Sequence, residues 1–169
     1  MTVLLGIDVG TTHAKAGTFR VEDGQLTPLR AAVRETRTSR AMGGVTVYDP
    51  EALWSTVCDA IHEVTHSGTT DLTAVGISSM AETGLLVDRA SGTPRTPLIP
   101  WFEHCATAEA AAIAERRDPL EHFRRTGLRA NPKAGLAKLL WLRGRVESLD
   151  GAVWLSAAER NMRSSSAMP

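Results

Sequence analysis

Asp8-Val9-Gly10-Thr11-Thr12 is the first stretch of this chain whose residue types and spacing suit chemistry. A carboxylate ends an apolar run, a glycine lets the backbone come close to a ligand, and two threonines add short hydroxyl donors. Turn amides and hydroxyls of this kind can gather around phosphate oxygens. A carboxylate at the edge of such a turn can hold Mg²⁺ through water, because magnesium gives up its hydration shell reluctantly. Lys15 would add a positive charge nearby. In a core strand Asp8 is costly unless something pairs with it. A hairpin turn whose amides Asp8 caps would account for the same residues without any ligand. The chain contains no G-x-x-x-x-G-K-[ST], so a Walker-type loop is excluded.

The elements that must position this turn follow from periodicity. The β-branched apolar run Val3 to Val9 predicts a strand, Ala14 to Val21 a second and Leu26 to Val33 a third. Glu22-Asp23-Gly24 is the hairpin signal between the last two. The chain is therefore expected to open with three antiparallel strands. Arg34 to Thr46 is polar and contains Gly43-Gly44, which predicts a loop. Asp49-Pro50-Glu51 combines an N-cap acceptor, a proline at the first helical position and an early acid. Leu53, Val57, Ile61 and Val64 continue at helical spacing, Trp54 and Cys58 widen the apolar face, and Gly68 ends the helix.

Leu72 to Ser79 and Gly84 to Asp88 predict short buried strands, with Arg89 to Thr93 as a turn. An alanine-rich helix is expected to stop at Asp118-Pro119. Asn131-Pro132 starts another through Leu136, Leu139, Leu140 and Trp141, and Val153 to Leu155 reads as a last strand. Trp54 and Trp141 are expected in the core. This order of elements predicts a mixed α/β domain with helices packed on a mixed sheet.

With 169 residues, 43% hydrophobic and 22% charged, the composition is that of an ordinary globular domain. Nineteen basic and nineteen acidic residues cancel, so neither a nucleic-acid partner nor a polybasic membrane contact is expected. No stretch approaches the ~20 apolar residues that cross a bilayer. Met1 to Val9 lacks the basic region and cleavage site of a signal peptide, which makes the cytoplasm the expected location. Cys58 and Cys105 have no disulfide-framework or metal spacing. The five histidines are read as having no H-x-x-x-H spacing and no other ligand grouping.

"GIDVGTTHAKAGTF" resembles the first phosphate motif of the actin/hexokinase/Hsp70-type ATPase fold, with its ribonuclease H-like lobe. Later landmarks narrow the resemblance to FGGY-type carbohydrate kinases. "AVGISSMAETG" is similar to the strand and loop that enter the sugar pocket in that family. "GTPRTPLIPWFEHCATAEA" resembles the segment that follows, where the family favours Trp-x-Asp-x-Arg. "KLLWLR" and "VWLSAAER" match two further landmarks in order. The resemblance implies ATP and Mg²⁺ as cofactors, a sugar or polyol as substrate, and transfer of the γ-phosphate to one of its hydroxyls.

Asp8, Gly10, Thr11 and Thr12 would form the phosphate loop, with Asp8 facing the metal and Lys15 beside it. Glu82 stands where glycerol-kinase-like members have the glutamate of "RET", which holds substrate hydroxyls, and Ala81 replaces the arginine of that motif. Trp101 matches a tryptophan that packs on substrate. Glu103 and Cys105 replace the family's aspartate and arginine.

The likeness spans residues 1–160, an incomplete lobe, and 161–169 ("NMRSSSAMP") reads as a divergent tail. The family's catalytic base and second lobe would lie beyond residue 169, so the chain alone is expected to be inactive. A non-catalytic polyol- or sugar-binding remnant, or a pseudoenzyme module, is the alternative. An uncovered sheet edge would favour self-association.

Overall fold

In the computed structural model the described residues are 2–66, 72–116 and 118–156. They form two compact units, one from residues 2–39 and 48–80, the other from 40–47 and 81–156.

The first unit opens as its patterning predicts. Strands β1 (Thr2–Val9), β2 (His13–Glu22) and β3 (Gln25–Glu35) form an antiparallel meander. Asp23 and Gly24 both take positive φ in the β2–β3 hairpin, at 50° and 74°. Helix α1 (Pro50–Thr65) begins where Asp49 accepts the Ala52 amide at 2.8 Å. It buries Val57, Ala60 and Val64, and Ala60 and Val64 join a core with Leu5, Ala16 and Ala32 of the meander. Strand β6 (Leu72–Ser79) adds to β1 in parallel, giving the sheet order β3-β2-β1-β6. Gly68 lies outside the described residues, as does the tail over 161–169.

Five expectations are corrected, the last two in the second unit. The polar stretch Arg34 to Thr46 is not a loop: β4 (Thr38–Ala41) and β5 (Val45–Tyr48) pair with each other. Met42, Gly43 and Gly44 take φ of 51°, 83° and 100°, so the two glycines make the tight turn of a hairpin. Trp54 is 57% exposed rather than core. The buried line of α1 runs Val57, Ala60, Val64, with Leu53 half-buried at its start, and Trp54 stands about 100° round the helix from Leu53. Strand β6 is exposed along most of its length, with Val75 and Ile77 at 54% and 46%. The helix lies over β2 and β3, and β6 is at the far edge. Asp118-Pro119 does more than stop a helix, as the second unit shows.

In that unit β7 (Gly84–Asp88) is buried, as expected, and pairs antiparallel with β8 (Ala152–Ser156). Helix α2 (Thr107–Glu115) carries the alanine-rich segment. Asp118 then caps a further helix, α3 (Pro119–Thr126), accepting the Leu120 and Glu121 amides at 3.0 and 2.9 Å. Proline after an acceptor starts a helix as readily as it ends one. Helix α4 (Gly135–Arg143) begins after Ala134, not at Asn131. The Asn131 side chain accepts the Lys133 amide at 2.9 Å and makes a local turn instead. Trp141 is buried as expected, in a core with Leu86, Ile99, Ala106, Ala110, Ala137 and Leu142.

Candidate functional site

The turn after β1 and the strand ends beside it hold the five residues expected to bind phosphate and its metal. Asp8 and Lys15 are directly opposite each other across β1 and β2, and Lys15 Nζ donates to Asp8 Oδ2 at 3.0 Å. That pairing answers the cost of a carboxylate in the strand. Both side chains keep about half of their surface in solvent, 44% for Asp8 and 55% for Lys15, so the pair holds little stability but can be reached by a ligand. The Gly10 amide donates to the His13 carbonyl at 3.0 Å and closes the turn. A Cβ at Gly10 would stand 3.0 Å from that same oxygen, a tight contact that favours glycine there.

Two residues outside the motif hold the turn in place. Tyr48 Oη and Thr36 Oγ1 donate to the Thr11 carbonyl at 2.7 and 2.8 Å, and the Thr36 amide donates to the Thr12 carbonyl at 2.9 Å. Tyr48 is fully buried and Thr36 nearly so. In a trans peptide the carbonyl and the next amide point in opposite directions. Anchoring these two carbonyls therefore directs the Thr12 and His13 amides away from Thr36 and Tyr48, as an anion cradle requires. Tyr48→Phe removes one of the two donors to Thr11 and is expected to cost about 1 kcal/mol. Urea unfolding checks this, and an unchanged midpoint would mean that the hydroxyl does not hold the turn.

The second unit carries the residues expected on the substrate side. Glu82 has a φ of 55°, unusual for a residue with a side chain. Its carboxylate accepts the Gly135 amide at the start of α4, and its carbonyl accepts from Lys138 Nζ at 2.7 Å. Trp101 is 38% exposed, with Lys133 Nζ 5.0 Å from its ring centre. The Trp101 amide donates to the buried Thr83 hydroxyl at 3.0 Å, which brings the Glu82 and Trp101 segments together. Glu103 accepts the Thr46 and His104 amides at 2.8 and 2.9 Å. Burial opposes its ionisation, but these amides and Arg40 outweigh it and leave its pKa below the usual value. Burial raises the thiol pKa of the neighbouring Cys105, and Glu103 adds to the effect.

Lys138 enters the sequence reading only as the first residue of "KLLWLR", not as a site residue. It is fully buried and also donates to the Pro100 carbonyl at 2.8 Å. A signal existed: it lies three and four residues before Trp141 and Leu142, on the face that reaches the core. The histidines also need correcting. His62 and His66 stand one turn apart on α1 with ring centres 4.5 Å apart, and with Glu63 they spell H-E-x-x-H. Glu63, however, pairs with Arg34, and no group of three His, Cys, Asp or Glu gathers among the described residues. The motif therefore finds no third ligand among the described residues. No helix among the described residues is long and apolar enough to cross a membrane.

The chain matches the FGGY family of carbohydrate kinases, N-terminal domain, over residues 3–154. A glycerol kinase of Acinetobacter baylyi is 30% identical over 145 residues, covering 84% of this chain and 29% of that protein. A glycerol kinase of Afipia carboxidovorans is 34% identical over 146 residues, covering 84% and 28%. The ligand-bound xylulose kinase from Lactobacillus acidophilus superposes with a TM-score of 0.81 at 22% identity, over 96% of this chain and 33% of that one. That likeness shows the fold, the actin-like ATPase fold of sugar kinases. The chain spans less than a third of the curated relatives named here. The family match runs through nearly all of the described residues, and by it the chain belongs to the FGGY family of carbohydrate kinases, as N-terminal domain sequence.

Proposed function

We propose that this chain is the N-terminal portion of an ATP-dependent kinase that transfers the γ-phosphate to a hydroxyl of a sugar or polyol. The observation that carries the reading is the turn after β1, where Asp8 and Lys15 face each other and buried donors hold the Thr11 and Thr12 carbonyls. Gly10, Thr11 and Thr12 receive phosphate oxygens, and Lys15 can pass from Asp8 to a phosphate. The donor set suits Mg²⁺ that arrives with a nucleotide, since magnesium takes one or two carboxylates plus phosphates and keeps several waters. Asp8 would hold that ion, and the chemistry it would supply there is neutralisation of phosphate charge.

On the acceptor side Trp101 offers an apolar ring face, and Glu82 and Glu103 use the lone pairs that their amide partners leave over. Phosphoryl transfer also needs a base within hydrogen-bond reach of the acceptor hydroxyl. Asp8 is committed to Lys15 and the metal, so we assign the base to residues outside this chain, and the chain alone turns over nothing.

The test supplies this chain with the C-terminal portion of the Acinetobacter baylyi glycerol kinase and follows ADP release with glycerol, xylulose and gluconate as acceptors. ATP-dependent phosphorylation of one of them supports the reading. If an acceptor binds but is never phosphorylated, and Asp8→Ala changes nothing, the chain is a binding module and the kinase reading fails.

A further inference from the structure

We infer that Lys138 is a positioning residue for the acceptor side: its enclosed ammonium ties the Glu82 carbonyl to the Pro100 carbonyl and so sets the spacing of the segments that carry Glu82 and Trp101. The inference rests on the kinase reading for what those segments bind, but the clamp itself stands on geometry within one unit.

A lysine with no exposed surface is rare, because removing an ammonium from water is costly unless its donors are satisfied. A leucine or methionine would fill the same space on α4 without that cost. Here the ammonium reaches two carbonyls, 2.7 Å to Glu82 and 2.8 Å to Pro100, from segments otherwise eighteen residues apart. Burial lowers its pKa to about 8, against the pull of Cys105, Glu82 and Glu103 and with Lys133 adding to the lowering. At pH 7 it therefore remains charged, and both bonds are charge-assisted.

The same two segments meet through Thr83 and Trp101 and through the paired backbone of Gly84 and Ile99, at 3.1 and 2.9 Å. Glu82 shows what the clamp is for. A non-glycine residue at a φ of 55° is strained and persists only where its surroundings over-determine it. Helix α4 does this from both ends of the residue, holding the carboxylate with the Gly135 amide and the carbonyl with Lys138. The strained residue is the one expected to meet acceptor hydroxyls.

The experiment uses the whole 169-residue chain and Lys138→Met, which keeps volume and removes the donor. Hydrogen exchange is read at the Gly84, Ile99 and Trp101 amides, and glycerol, xylulose and gluconate binding by calorimetry. Exchange at those amides should rise at least about tenfold while amides of β1 and β2 stay as in the wild type, and affinity for the acceptor that binds should fall about tenfold, each a loss of ~1.4 kcal/mol. A folded Lys138→Met chain with unchanged exchange and unchanged affinity overturns the inference. If the variant does not fold, the wild-type Lys138 Nζ resonance decides. Slowly exchanging protons coupled to the Glu82 and Pro100 carbonyls support the clamp, and rapid exchange with solvent overturns it. A wild-type chain that binds no acceptor counts against the kinase reading, while the exchange rates still report on the clamp.

Discussion

Asp8→Ala in the complemented kinase is expected to lower turnover by about 10²–10³-fold, the loss typical when one charged group that stabilises a transition state is removed. Acceptor affinity should stay at the wild-type value, because Glu82, Trp101 and Glu103 belong to other segments of the chain. The fold should survive as well. The ion pair with Lys15 is exposed on both sides, and such pairs contribute about 0–1 kcal/mol. Loss of turnover with an intact melt would separate a phosphate role from a structural one. Steady-state rates with saturating acceptor, read beside a thermal melt, make the comparison. A mutant that turns over at the wild-type rate would leave Asp8 as a turn residue only.

Gly84→Val acts on the second unit and through packing. A Cβ placed at Gly84 would fall inside the Trp154 indole, 2.7 Å from Cε2 and 2.8 Å from Cη2. Neither side can yield easily. Trp154 is opposite Leu86 in the β7–β8 ladder and packs on the core cluster. Gly84 is held by its two backbone bonds to Ile99. Overpacking of this kind typically costs about 1–3 kcal/mol, and the branched side chain adds to it. A fall of several degrees in the melting temperature is expected, with Trp154 fluorescence perturbed in the native state. Gly84→Ala melting with the wild-type chain would show that the indole moves aside at no cost.

Much of the fold is legible because its signals are local. Alternating and β-branched runs mark β1 to β3, and Asp49-Pro50-Glu51 marks the start of α1, since each of these patterns is satisfied within a few residues. Reading errors fall where a local signal has two outcomes. Gly43-Gly44 can be a loop or a hairpin turn, and the pairing of β4 with β5 decides it. Asp118-Pro119 can end one helix or begin the next, and both happen. Val75 and Ile77 look like core in sequence, yet β6 lies at a sheet edge that α1 does not cover, a matter of topology alone.

The candidate site divides in the same way. Asp8, Gly10, Thr11, Thr12 and Lys15 were visible because a short hairpin brings them together, and the cross-strand register places Lys15 on Asp8. What holds the turn was not visible, since Thr36 and Tyr48 reach it from 25 and 37 residues away. Glu82 was visible as a carboxylate after a strand, but its strained backbone and its two partners on α4, 53 and 56 residues on, were not.

Local sequence carries most of the order of elements, β4, β5 and α3 excepted, and the chemistry available at the first turn, because helical and strand periodicity, caps and turn residues act over a few positions. Only the tertiary structure decided which groups hold those residues still. Burying a tyrosine hydroxyl, a threonine or a lysine ammonium requires acceptors from distant segments, and their meeting depends on how the chain packs.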